Sequence, residues 1–498
     1  MIWQALERAS MFDMSVFLTV TLVSFILYTL SDYIKIALLV MRIPGPPAYP
    51  FFGNCFMATQ RNLLATIGID APKQYGLVSR VWLMIFPFFV ILDPEHLQLI
   101  LGSKRHTNKS FFYKLLHNFL GDGLITSSGA KWAAHRRYIQ PTFHLHILEK
   151  FVETFADSAQ CLTAKMNNLT DKPVNITNIV NECVLDILNE AVLGVPIYGK
   201  KEGMENSPFR QGKVVVQDRV ARPWLMFNWI YKFTEDATEE LLQKKRLDDF
   251  TRTMINKRRD IVENGKIEGR KSLLDYMIEI SKKHPDFTEE DIVNEACTFM
   301  LAGQDSVGAS LAFAMFLLAQ NPEHQQKCIE EIDAIFGSDD RAPTMADLRE
   351  MKYLEMCIKE ALRLYPAVPI MARRLGEDVQ CGKYLLPAGA EIFIMPYITH
   401  RLEHIYPDPE AFIPERFTTE NIEKRNPYAY LPFSAGPRNC IGHKFAIIEM
   451  KTIISKVLRS FRLKSVPGKE TFEPLFRITL RAGGGLWVQL EPRNNNTM

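Results

Sequence analysis

Phe433-Ser434-Ala435-Gly436-Pro437-Arg438-Asn439-Cys440-Ile441-Gly442 decides how this 498-residue chain is read. The stretch places one cysteine in a glycine-flanked loop just ahead of a helix-like run (Phe445, Ala446, Ile448, Glu449, Met450), so that a thiolate can face a large planar cofactor. Gly436 and Gly442 let the backbone approach such a group closely or adopt φ > 0. Arg438 supplies a cation for a buried carboxylate, and Phe433 shields the sulfur from water. The plainer reading, one ordinary buried cysteine among eight, explains a thiol but none of its neighbours.

Three further groups lie upstream. Glu360 and Arg363, in Lys359-Glu360-Ala361-Leu362-Arg363-Leu364-Tyr365-Pro366, are three apart and share a helical face where carboxylate and guanidinium can pair. Such a pair is usually a solvated contact, but its apolar surroundings and Pro366 point to a buried pair that closes its helix. Ala302-Gly303-Gln304-Asp305-Ser306 sits in a proline-free apolar segment from about Ile292 to Leu318, which reads as one long buried helix. Asp305, Glu295 and Asp291 argue against a membrane span there. A mid-helix glycine costs roughly 1 kcal/mol relative to alanine, and that local violation marks a site. In Trp132-Ala133-Ala134-His135-Arg136 an indole N–H and a guanidinium fall four apart, both donors without acceptor capacity. They suit a shared buried anion, although the motif alone also fits a Trp–Arg surface stack.

The spacing F-x-x-G-x-R-x-C-x-G resembles the haem loop of the cytochrome P450 family, and the upstream groups resemble other motifs of that family. The resemblance implies a mainly α fold with small β-sheets, and Cys440 as the ligand of haem iron. Around it stand Arg438, Phe433 and Gly442. Trp132 and Arg136 become contacts of a haem propionate, with Arg373, after Pro369-Ile370-Met371-Ala372, as a third. Glu360 and Arg363, joined by Arg416 of Pro414-Glu415-Arg416-Phe417, become a structural triad behind the haem. From Ala302 to Ser306 the family pattern implies a helix that loosens at Gly303 over the haem, where Asp305 and Ser306 relay protons. The usual alcohol is threonine; Ser306 keeps the hydroxyl without the methyl that restricts its rotamer. A thiolate on haem iron favours O–O cleavage, so the implied activity is insertion of one atom of dioxygen into an apolar substrate.

Gly121-Asp122-Gly123-Leu124-Ile125, Pro141-Thr142-Phe143-His144 and Thr298-Phe299-Met300 are similar to family 4 of the cytochromes P450, including its insect members. Many members of that branch carry a glutamate, able to bond a haem methyl, where this chain has Ala302. Haem b held without a covalent link is therefore expected. Phe119 and Phe299 are candidate pocket walls, and fatty acids, sterols, terpenoids and xenobiotics are candidate substrates. The competing function class is a haem-thiolate isomerase, dehydratase or sensor without oxygen insertion; the acid and hydroxyl at 305 and 306 favour the monooxygenase. Neither G-x-G-x-x-G after a strand nor G-x-x-x-x-G-K-[ST] occurs, so electrons must come from another protein. The resemblance points to NADPH–cytochrome P450 reductase, with cytochrome b5 as a second partner.

A formal net charge of +2 lends no support to nucleic-acid binding. The eight cysteines show no C-x-x-C spacing, which indicates a reducing compartment rather than a disulfide or zinc framework. Met14 to Ser31 is an uncharged, largely apolar run, continued past Asp32 and Lys35 by Ile36 to Met41, and suffices for a transmembrane helix. Lys35 and Arg42 behind it favour a cytosolic body. Pro44-Gly45-Pro46-Pro47 and Pro50 then stiffen the exit. The expected organisation is a membrane anchor over 1–41, a hinge over 42–54 and one haem-thiolate catalytic domain over 55–498, carried on the endoplasmic reticulum. Within that domain, residues 51–94 suit a small sheet and 101–361 mostly helices. At the end, Arg477-Ile478-Thr479-Leu480 and Leu486-Trp487-Val488-Gln489-Leu490 about Gly483-Gly484-Gly485 read as a hairpin.

Overall fold

The computed structural model describes residues 2–57, 70–195, 208–209, 219, 222–263 and 270–493. Helix α1 (Ile2–Val40) contains the apolar segments Thr19–Ile26 and Leu30–Val40, which bend by 50° and together are long and apolar enough to cross a membrane. Its Val20, Leu22, Phe25 and Leu38 are exposed. The chain then runs without regular structure along strand β1 (Val78–Leu83). Gly45 lies so close to that strand that a Cβ would stand 2.3 Å from the Arg80 carbonyl oxygen, while Arg80 Nε donates to the Ile43 carbonyl at 2.9 Å.

Among the described helices, those that build the site and its frame are α2 (Gly129–Ile139), α3 (Val152–Asn167), α4 (Ile176–Ala191), α5 (Glu235–Glu263), α6 (Glu289–Gln320), α7 (Lys352–Leu364) and α8 (His443–Ser460). Helix α6 is the central element. Thr288 caps it in a reciprocal box with Asp291, which satisfies two free amides at its start. Apolar enough to span a membrane, it is instead 67% buried inside the protein, as a core helix. It does not loosen at Gly303. The helix is unbroken there, and Leu188 of α4 packs against the glycine: a Cβ would lie 2.9 Å from Leu188 Cδ2 and would push that side chain aside. Gly308 answers Asn181 in the same way, at 2.1 Å from Oδ1, so the two glycines let α4 and α6 cross closely.

The sheets are small. Strands β1, β2 (Phe86–Ile91), β4 (Met371–Arg374) and β7 (Glu391–Ile394) form one sheet in the order β1-β2-β7-β4, with β2 and β7 parallel. β5 (Val379–Cys381) and β6 (Tyr384–Leu386) pair separately; β3 (Val174–Asn175) and β8 (Phe461–Ser465) flank β11 (Trp487–Pro492). The expected hairpin about Gly483 to Gly485 does not form. β10 (Leu480–Gly483) pairs instead with β9 (Glu473–Phe476), the turn falling at residues 477–479. Gly484 and Gly485, at φ of 80° and 83°, swing the chain away from β10, and β11 joins β8.

Candidate functional site

The cysteine loop is closed by its own backbone. The Cys440 N–H donates to the Phe433 carbonyl at 2.8 Å, and Ser434 and Gly436 take φ of 58° and 69°. A Cβ on Gly436 would stand 1.8 Å from the Leu101 carbonyl oxygen, so that glycine is required by the chain itself. Gly442 differs: its φ is −93°, and an added Cβ would meet only Phe143, at an ordinary 3.7 Å. Its small size leaves room on the cavity side. Cys440 is exposed to that cavity rather than to bulk water. Burial pushes its thiol up, while the Gly442 N–H and the Arg136 guanidinium favour the thiolate. The start of α8 three residues later adds the positive end of a helix dipole.

The cavity measures about 1290 Å³. Cys440, Phe433 and Gly442 lie on one side and Ala302, Gly303, Asp305 and Ser306 of α6 on another, with Phe119, Leu188, Phe299 and Leu301 among its apolar walls. Phe299 also stacks on Phe143, their ring centroids 5.5 Å apart.

One flank is densely cationic. Arg438 donates to the carbonyls of Thr107 (2.9 Å), Leu124 (3.2 Å) and Ser127 and lies 4.1 Å over the Trp132 ring. Burial, with Arg373 and Arg136 nearby, depresses it to about 9. Arg373 is fully buried on β4; it donates to its neighbour's carbonyl, Ala372, at 3.0 Å and also bonds the Tyr113 side chain. The Asn108 carbonyl accepts the Arg374 N–H at 3.0 Å, which sets Lys109 beside Arg373. Lys109, its ammonium 4.1 Å over the Tyr113 ring, is held well below the usual lysine range by burial and by Arg373 and Arg438. Among the described residues no carboxylate pairs with Lys109, Arg373, Arg438 or Arg136. Cations gathered without carboxylate partners suit anions from outside the chain, and a dicarboxylate such as haem would supply them. The site therefore fits the group. Arg136 has a second occupation: it donates to the backbone and side-chain oxygens of Asn439 at 2.8 and 2.7 Å, fastening α2 to the cysteine loop.

On α6 the two relay candidates both line the cavity but are held by different partners. Ser306 Oγ donates to the Ala302 carbonyl at 2.7 Å, one turn back. Asp305 accepts from the Thr479 hydroxyl and pairs with Arg481, both at the β9–β10 hairpin. Neither Arg481 nor Lys109 belongs to any motif in the sequence; only a search for counter-charges to Asp305 and to a second carboxylate arm could have raised them.

Glu360, Arg363 and Arg416 come together away from the cavity. The Arg363–Glu360 pair is fully buried and bidentate, at 2.7 and 2.8 Å, and Arg416 Nε stands 3.4 Å from Glu360 Oε1. The Ile413 N–H donates to the same Oε1 at 2.9 Å, so the triad fixes the segment that leads toward the cysteine loop.

Comparison with known proteins gives a consistent picture. The sequence model described as Cytochrome P450 matches residues 43–485. "Probable cytochrome P450 4aa1" of Drosophila melanogaster is 57% identical, over 99% of this chain and 98% of that protein. "Cytochrome P450 4c3" of the same organism is 37% identical over 91% and 90%, and "Cytochrome P450 4V2" of Mus musculus 36% over 90% and 89%.

Proposed function

The chain belongs to the cytochrome P450 family and is a monooxygenase of it, and from that premise we propose that it hydroxylates an apolar small molecule of the fatty-acid, sterol, terpenoid or xenobiotic type. Electrons come from NADPH through NADPH–cytochrome P450 reductase, with cytochrome b5 as a second protein partner. The observation that carries this reading is the Cys440 thiol beside four cations that pair with no carboxylate among the described residues, in a cavity with apolar walls.

Cys440 would hold the iron of haem b, and Trp132, Arg136, Lys109, Arg373 and Arg438 its two carboxylates. Bound there, a thiolate-ligated haem supplies dioxygen activation by O–O cleavage. Phe119, Leu188, Phe299 and Leu301 exclude water and favour an apolar substrate by the area they remove from solvent. Arg481 and Thr479 hold the Asp305 carboxylate, and rotation of Ser306 Oγ away from the Ala302 carbonyl would present its proton to the cavity. Ala302 has no carboxyl with which to tether the haem, so acid–ketone extraction should remove it. The exposed apolar face of α1 supports an anchor in the endoplasmic reticulum membrane, and Lys35 and Arg42 a cytosolic body.

The test combines the purified full chain, the reductase and NADPH with fatty acids, sterols and terpenoids, followed by mass spectrometry. Reductase-dependent NADPH consumption with a hydroxylated product is expected. Conversion of an organic peroxide by rearrangement or water loss, with no product formed from NADPH and dioxygen, would replace this reading with the isomerase class.

A further inference from the structure

One carboxylate ties together the two sides of the cavity. Glu295 is fully buried on α6, ten residues before Asp305. Its Oε1 stands 2.7 Å from Nδ1 of His135 on α2, and its Oε2 accepts the Leu124 N–H at 3.0 Å. With Glu295 ionised, the proton on His135 that faces it must lie on Nδ1. Burial pushes the Glu295 carboxyl up, while the donors from His135 and Leu124 pull it back. His135 is itself buried; its Nε2 lies 3.8 Å from Asp291, which Lys131 pairs at 2.8 Å, and Phe287 packs edge-on at 4.9 Å.

Two routes lead from this carboxylate to the residues that flank the ligand cysteine. Through His135 it fixes α2, where the next residue, Arg136, donates twice to Asn439. Through the Leu124 N–H it fixes the 121–128 loop, whose Leu124 and Ser127 carbonyls accept from Arg438. Arg438 and Asn439 immediately precede Cys440. Helix α6 and the cysteine loop, on different sides of the cavity, are thus joined through a single buried group. We propose that Glu295 and His135 are positioning residues that set the separation between α6 and the Cys440 loop, and thereby how firmly the thiolate stays on the iron. The proposal rests on the reading of Cys440 as the haem ligand. A pair this deeply buried cannot exchange its partners for water, so removing one member leaves the other uncompensated.

The experiment uses the haem-loaded full chain and its reduced carbon-monoxide complex. The decay of the thiolate-type absorption is followed at one fixed temperature, with far-UV circular dichroism recorded on the same sample. Glu295→Gln and His135→Leu should lose that absorption about tenfold faster than the parent, the effect of roughly one buried hydrogen bond to a charged group, while the helical signal persists. His135→Asn returns an amide N–H near the Nδ1 position and should restore a near-parental rate. Unchanged decay in Glu295→Gln and His135→Leu would overturn the proposal and leave the haem assignment standing. So would decay that tracks loss of helix in all three variants, since Glu295 would then only stabilise the fold. A parent chain without the thiolate-type absorption would overturn the haem reading itself, and the proposal with it.

Discussion

Replacing Arg363 with lysine keeps the charge and should still unsettle the protein. All five guanidinium N–H groups are engaged. Nε and Nη2 donate to Glu360 at 2.7 and 2.8 Å, Nη2 also to the Ala411 carbonyl at 3.0 Å, and Nη1 to the His400 and Pro409 carbonyls at 3.0 and 2.7 Å. A lysine ammonium offers three donors from one point instead of five in a plane. At least two of these enclosed oxygens lose their partner in Arg363→Lys, each worth about 1–3 kcal/mol when left unmet. The expected destabilisation is therefore roughly 2–6 kcal/mol. Arg363→Ala removes the charge as well, and breaking a buried pair costs about 3–5 kcal/mol. Arg416, 3.4 Å from Glu360, offsets part of that loss, which keeps the alanine variant near the lower figure. The two variants should therefore be similarly unstable. Urea unfolding of the haem-loaded chain, followed by far-UV circular dichroism with reversibility checked, measures both. A lysine variant within about 1 kcal/mol of the parent, the range of an ordinary surface change, would refute the account of Arg363 as a five-donor clamp.

Other consequences follow from the site. Haem dimethyl ester, which lacks both negative charges, should bind at least about tenfold more weakly than haem because each buried charge-assisted hydrogen bond is worth more than a neutral one; equal affinity would show that the cations serve another purpose. In the haem-free chain Lys109 is pushed well below its usual range, so the unfolded state holds the extra proton, and stability should rise with pH from that lowered value toward about 10.4. Lys109→Met should flatten that slope, and a slope unchanged in the variant would remove Lys109 as its source. Gly436→Ala must displace the Leu101 carbonyl as well as strain a φ of 69°, and should lower the fraction of chain showing thiolate-type absorption; full occupancy would mean the loop yields more easily than its geometry indicates. With an identified substrate, Asp305→Asn should slow turnover, and Ser306→Ala should raise peroxide formed per NADPH, a positioned proton donor being worth about 10²–10⁴-fold. Unchanged product-to-NADPH ratios in both would return the pair to a packing role.

What the sequence disclosed is what local chemistry dictates. The cysteine loop was legible because Gly436 answers a contact with Leu101 that no other residue type permits, and the Glu360–Arg363 pairing because three-residue spacing places both on one face. Contacts between distant segments were not legible. Arg136 donates to Asn439, and Asp305 is taken by Arg481 and Thr479, partners that depend on how α2, α6 and the β9–β10 hairpin are brought together. By propensity Gly303 is unfavourable within its helix, and in the fold Leu188 packs against it. The glycine run at 483–485 read as a hairpin turn, but its left-handed residues carry the chain to another sheet. Two signals of one kind, a glycine out of place, thus had different causes, and only packing told them apart.

The central claim, oxygen insertion at a haem held by Cys440, is tested most directly by isotope. The full chain, with reductase, NADPH and an accepted substrate, is run under ¹⁸O₂ in ordinary water, and the product is weighed by mass spectrometry. The account predicts one ¹⁸O atom per product molecule and none when the label is placed in water instead. A product carrying no oxygen from ¹⁸O₂ would contradict it.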